Sequence, residues 1–179
     1  RLMEATGETA NLGVVQGASV LFVSQVETHA TIRAFFPPGT LSPLHASGIG
    51  KALMAHMPPD RLDRLLAGAS FDSFTPFTLT DPQALRADLS ATRARGYAID
   101  AEEKTLGMRC IAAPVFDVHA EGAAGLSVSG PTIRLDARQT EPVARHVRDA
   151  AAALTQAIGG RAIDGRAIDD RAIDDRATP

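Results

Sequence analysis

The sequence predicts an α+β fold, in which one antiparallel sheet of about six strands is flanked by helices. Three observations carry this expectation. Strand-like segments come in two sets of three, one at the start of the chain and one in its second half. Helix-like segments lie between the two sets and after the second, without the strict alternation that a parallel sheet requires. The 179 residues, 45% hydrophobic and 22% charged, suit one domain with a core plus a tail, and exclude a wholly disordered or membrane-spanning chain.

The elements follow in order. Leu12, Val14 and Val15 lead to a Gln16-Gly17 turn, and Val20, Leu21, Phe22, Val23 and Val26 lead to a break at Thr28-His29. This opens a β-meander whose third strand is expected to stop at Pro37, Pro38 and Gly39. From Ser47 to Met57 the apolar residues Ile49, Leu53, Met54 and Met57 have helical spacing. Pro58, Pro59 and Asp60 open a short helix that ends at Gly68. Asp81-Pro82 starts a longer one: Asp81 caps, Pro82 suits the first helical position, and Gly96 closes it. Strands are expected at Tyr97 to Glu103, Met108 to Val118 and Ala123 to Ser129, the last two joined by a turn around His119 to Gly122. A final helix runs from about Thr140 to Ile158, with Val143, Val147, Ala150, Ala151 and Leu154 along one stripe.

Arg-Ala-Ile-Asp then recurs at 161–164, 166–169 and 171–174. A period of five matches neither helix nor strand, so Ile163, Ile168 and Ile173 share no face. The organisation expected is therefore a domain over 1–158 and a low-complexity, disordered tail over 159–179.

Charge and cysteine usage narrow the function. A formal net charge of −3 disfavours nonspecific attraction of this chain to nucleic acid. Cys110 is the single cysteine, so no intramolecular disulfide forms, and a reducing cytoplasm is the simplest expected compartment. No signal-peptide pattern is visible, and no partner membrane is expected.

Few residues carry the spacing of known chemistry. In His45-Ala-Ser-Gly-Ile-Gly-Lys-Ala52, His45 and Ala52 occupy the places where a phosphate loop needs Gly and Ser/Thr, and a dinucleotide fingerprint would need Gly at Leu53. What remains is a Gly-rich helix start that either holds a carboxylate with its unpaired N–H groups or packs closely on the sheet. His45 and His56, eleven residues apart, would stand ~16 Å apart on one helix, too far to share a metal ion. No cofactor or metal is expected. Cys110, in an apolar strand, is either a small buried hydrophobe or a nucleophile that needs a base brought by the fold. Ser127 and Ser129 point to one face of a strand, either into a cleft or to solvent, and Asp100 either caps a turn or accepts from a ligand.

Three blocks taken together resemble the effector-binding domain of IclR-family bacterial transcription regulators. They are Leu44-His-Ala-Ser-Gly-Ile-Gly-Lys-Ala-Leu53; Gly96-Tyr-Ala-Ile-Asp-Ala-Glu-Glu103 followed by Gly107-Met-Arg-Cys-Ile-Ala-Ala-Pro-Val-Phe116; and Leu126-Ser-Val-Ser-Gly-Pro131. The resemblance covers roughly Glu8 to Ile158 and implies a GAF-like fold with a curved antiparallel sheet. It implies a small carboxylate effector, as in relatives that bind glyoxylate or pyruvate. The matching positions are the backbone N–H groups of Gly48 and Ile49, then Asp100, Cys110, Ser127 and Ser129; the apolar residues Ala34, Phe36, Leu44 and Met108 either wall such a pocket or, for most of them, pack in the core. It implies a homodimer or homotetramer, and operator DNA as a partner only through an N-terminal winged helix-turn-helix domain that this sequence does not include. The rival is a stand-alone GAF-like enzyme with Cys110 as nucleophile or redox thiol; the resemblance favours no enzyme.

Overall fold

The computed structural model describes residues 1–161. A short helix, α1 (Leu2–Thr6), precedes β1 (Thr9–Gln16) and β2 (Ser19–Val26), which form a hairpin around Gly17. Gly17 has a φ of +60°, a conformation that glycine adopts without steric cost. The chain reaches β3 (Leu41–Pro43), a 3-10 turn (Leu44–Ala46), α2 (Gly48–Met54), α3 (Pro59–Ala67) and α4 (Pro82–Arg95). Then come β4 (Ala98–Ala101), β5 (Met108–Phe116), β6 (Gly122–Pro131) and α5 (Thr140–Ala157). All six strands form one antiparallel sheet in the order β3-β2-β1-β6-β5-β4, which curls into a half-barrel.

Two elements depart from the expectations. The third strand lies after Pro37-Pro38-Gly39, at Leu41–Pro43, and not before it. The apolar run Ala34, Phe35, Phe36 is not in a ladder: Phe36 is held by stacking on Phe22, with ring centroids 5.0 Å apart, and Phe35 is exposed. Backbone pairing to β2 starts only at the turn, where Gly39 N–H donates to the Phe22 carbonyl at 2.8 Å. Helix α1, too short for a periodic signal, was not among the expected elements.

Residue alternation splits the core between the two faces of the sheet. Val20, Phe22, Ala98 and Ala112 face α2, α3 and α4 and pack with Ile49, Leu53, Leu66, Leu85 and Leu89. Ile111, Ala113, Val115 and Val128 face the other way and pack on Val143, Val147 and Ala151 of α5. Each fully buried Leu, Ile or Val contributes ~1.5–3 kcal/mol relative to an exposed one. The helix signals act as expected at α4: Asp81 accepts from Ala84 N–H at 2.8 Å, and Gly96 ends the helix at φ +79°.

Beyond α5, Gly160 N–H donates to the Thr155 carbonyl at 2.7 Å and Arg161 N–H to that of Asp117 at 2.9 Å. The rest of the tail expected at 159–179, with its repeat, lies outside the described residues. Among the described residues, no helix is long and apolar enough to cross a membrane.

Candidate effector pocket

Cross-strand register assembles the site. Asp100 on β4, Cys110 on β5, Ser129 on β6 and Thr9 on β1 stand opposite one another in a single row. The adjacent row on the same face is Ala98, Ala112, Ser127, Asn11 and Gln25. Ser127 and Ser129 therefore point into the sheet face that α2 covers, and both are buried. The solvated alternative for the serines does not hold.

Helix α2 lies across these rows. Its N-cap is Ser47, whose hydroxyl accepts from Gly50 N–H at 3.4 Å. The N–H groups of Gly48 and Ile49 belong to the first turn and have no partner within the helix. Gly48 sits directly over Cys110, so that a Cβ there would stand 2.7 Å from the Cys110 Sγ. The Ile49 side chain turns away and fills the space above Gly13 and Gly125. Only its backbone is thus available beside the Cys110 row.

The electrostatics follow from burial. Burial, with the Asp100 carboxylate second, pushes the Cys110 thiol up to about 11, against the Ser129 and Ser127 hydroxyls beside it. Burial also raises the Asp100 carboxyl, outweighing the Glu103 N–H donated to its Oδ1 at 2.8 Å and the nearby Lys51. Ser127 Oγ is buried without a hydrogen-bond partner; although beside the thiol, it does not meet bonding geometry with it. An unsatisfied buried hydroxyl is costly unless something else bonds to it.

The candidate walls are placed differently. Met108 precedes Cys110 by two residues on the same strand face, opposite Pro131. Ala34 is buried, in a segment that begins where Thr28 N–H donates to Thr9 Oγ1 at 3.4 Å, at the end of the Cys110 row. Phe36 rests on Phe22. Leu44 is buried in the α2 core and lines a cavity of about 320 Å³ with Ser19, His45, Leu66, Phe71 and Asp72, none of which is a polar residue of the candidate site. His45 lies in the 3-10 turn, not on one helix with His56, and its Nε2 is 3.0 Å from the Asp72 carbonyl. Among the described residues, no group of three or more His, Cys, Asp or Glu is arranged to hold a metal ion.

Sequence reasoning missed two buried polar residues, Asn11 and Lys51, and their partners. Asn11 is buried beside the serines, accepting from Gln25 Nε2 at 3.0 Å and donating to Ser129 Oγ at 3.5 Å. An Asn inside an apolar strand run was the available signal. Lys51 is fully buried, with its ammonium 2.6 Å from Glu103 and 3.0 Å from Asp88. Nothing in the sequence pairs residues 52 and 37 positions apart.

One helix start laid over a buried row of small polar side chains, on the concave side of a half-barrel sheet, is the arrangement to be compared with known domains. The family model described as the bacterial transcriptional regulator IclR C-terminal matches residues 1–156. The chain belongs to the IclR family and is its effector-binding domain. It is 61% identical over 155 residues to the HTH-type transcriptional regulator BhcR of Paracoccus denitrificans, covering 87% of this chain and 56% of that protein. It is 41% identical over 162 residues to the transcriptional repressor IclR of Escherichia coli, covering 89% and 59%. Among solved structures, the Thermotoga maritima IclR matches with a TM-score of 0.85 at 29% identity, covering 88% of this chain and 64% of that one. The C-terminal domain of E. coli KdgR matches at 0.80 and 32%, covering 88% and 92%. The chain thus spans less than two thirds of the curated relatives it matches.

Proposed function

We propose that this domain senses a small carboxylic acid, glyoxylate or a related 2-oxo acid, and signals its presence to an operator-binding domain outside this sequence. The observation that carries the reading is the Ser127 hydroxyl, buried and unpartnered among Ser129, Cys110, Asp100 and the free N–H groups of Gly48 and Ile49. The N–H groups and serine hydroxyls donate to the effector carboxylate, and the thiol packs beside it. Hydrogen bonds to a charged group contribute ~1.5–3 kcal/mol each, so three or four give binding of about micromolar strength after ordering costs.

Asp100 would repel an anion if ionised at close range. Burial raises the Asp100 carboxyl, and in its protonated form it would donate a hydrogen bond to the oxo group or carboxylate instead. The small side chains around the rows favour a small acid over a bulky one. Effector binding then shifts the balance between conformations of a cytoplasmic homodimer or homotetramer, which changes its grip on operator DNA.

A thermal-shift screen of small oxo, hydroxy and aromatic acids tests the reading. Glyoxylate or a close 2-oxo acid is expected to raise the melting temperature. If no acid in the panel does so at millimolar concentration, the small-acid reading fails.

A further inference from the structure

The fully buried ammonium of Lys51 lies one turn into α2, and its own N–H donates to the Ser47 carbonyl at 2.9 Å. Its Nζ is held between Glu103 on the turn after β4, at 2.6 Å, and Asp88 on α4, at 3.0 Å. Arg95 of α4 stands 3.6 Å from the other oxygen of Asp88. A buried lysine stays charged only with such partners, and the pair in turn fixes whatever carries it.

What it fixes is the turn that holds Asp100. Glu103 N–H donates to Asp100 Oδ1 at 2.8 Å, and the Glu103 carbonyl accepts from the Thr78 hydroxyl at 2.6 Å. Between them, Glu102 has a φ of +64°, a conformation that a non-glycine residue keeps only where its surroundings impose it. The Thr75 hydroxyl donates to the Glu102 carbonyl at 2.7 Å. The strained turn is therefore held from three sides, and the Lys51–Glu103 pair is the side that ties it to α2.

We propose that Lys51 is a positioning residue of the effector site: through Glu103 it locks the first turn of α2 against the Asp100 turn. The N–H groups of Gly48 and Ile49 and the Asp100 carboxyl then keep the spacing that one small acid spans. Lys51 touches no effector itself. This rests on the reading of the site given above, and extends it from the residues that meet the ligand to one that sets their distance.

The test uses the double variant Lys51→Met, Glu103→Gln, which removes both charges of the pair and leaves Asp88 with Arg95. Removing both members avoids stranding one buried charge. Hydrogen exchange in the unliganded protein is expected to rise about tenfold at residues 47–54 and 100–108 and to stay at the wild-type rate in α5, as loss of a local tie frees only the segments it joined. Glyoxylate affinity is expected to fall about tenfold, the equivalent of one misplaced hydrogen bond to a charged group. Unchanged exchange at both segments overturns the proposal, as does wild-type affinity for glyoxylate in a variant whose exchange has risen. If glyoxylate and its relatives bind neither protein, the small-acid reading falls and takes the positioning role with it, and raised exchange then establishes only the tie between α2 and the Asp100 turn. Should the double variant not fold, Glu103→Gln, which keeps an oxygen for the ammonium, is measured by the same exchange, with the same rise expected and the same null result overturning.

Discussion

Asn11 stands directly opposite Ser127 in the β1–β6 ladder, yet its amide donates to Ser129, two residues along. This diagonal choice satisfies one serine and leaves the other hydroxyl without a partner in the heart of the sheet. Ser127→Ala therefore removes a group that the folded protein cannot satisfy. We expect stability in denaturant to stay level or rise by up to about 1 kcal/mol, because an orphaned buried hydroxyl costs more than it contributes. Affinity for the stabilising acid should instead drop about tenfold or more, measured by calorimetry. A variant that loses stability and keeps affinity would show that Ser127 serves the fold alone.

Gly48 admits no side chain while Cys110 lies beneath it. In Gly48→Ala the new methyl would meet Sγ at 2.7 Å and the Ala112 methyl at 3.4 Å. Overpacking of this kind costs ~1–3 kcal/mol. Adding Cys110→Ala should return most of that loss, because the sulfur is the nearest obstacle. Urea denaturation of the two single variants and the double variant checks the cycle, and additive losses would contradict the contact.

Burial, with the Arg93 charge second, lowers the His56 imidazole from its ordinary 6.5 to about 4. The ring packs edge-on against Phe116, centroids 5.1 Å apart, and neither ring nitrogen has a partner. The unfolded chain takes up this proton first as pH falls, so the contribution of His56 to stability is complete above about 6.5 and is lost between 6.5 and 4. His56→Phe is expected to flatten the pH dependence of the melting temperature across that window.

With its thiol pushed up to about 11, Cys110 is a poor nucleophile near neutrality. Its alkylation by iodoacetamide should be slow at pH 7 and climb steadily as pH approaches 11. Fast modification at neutral pH, with loss of a measured turnover, would favour the enzyme reading over the sensor.

Much of this molecule is legible from the sequence, and the limits are physical. Helix α4 was readable at both ends because Asp81, Pro82 and Gly96 act on neighbours a few residues away. The rows of the site were half readable: alternation places Ser127 and Ser129 on one face, but only α2, which the fold lays across that face, decides that it is buried. The third strand was misplaced because Phe36 is apolar for the sake of Phe22 and not of a ladder. Lys51 was read only as one letter of a Gly-rich block, since its partners Glu103 and Asp88 arrive through the fold. The three blocks that resemble the IclR family supplied what periodicity could not, namely which polar residues to set beside one another as a candidate site.

The central seam of the sheet joins its first long strand to its last, with 118 positions between Asn11 and Ser129. The two serines of the candidate site are thus not in place until β6 has been made and has found β1, and such distant pairing is slow to form. A ligand that seats on that seam would recognise only chains in which the two strands have met. Its supply during synthesis would raise the yield of folded sensor as well as change what the sensor reports.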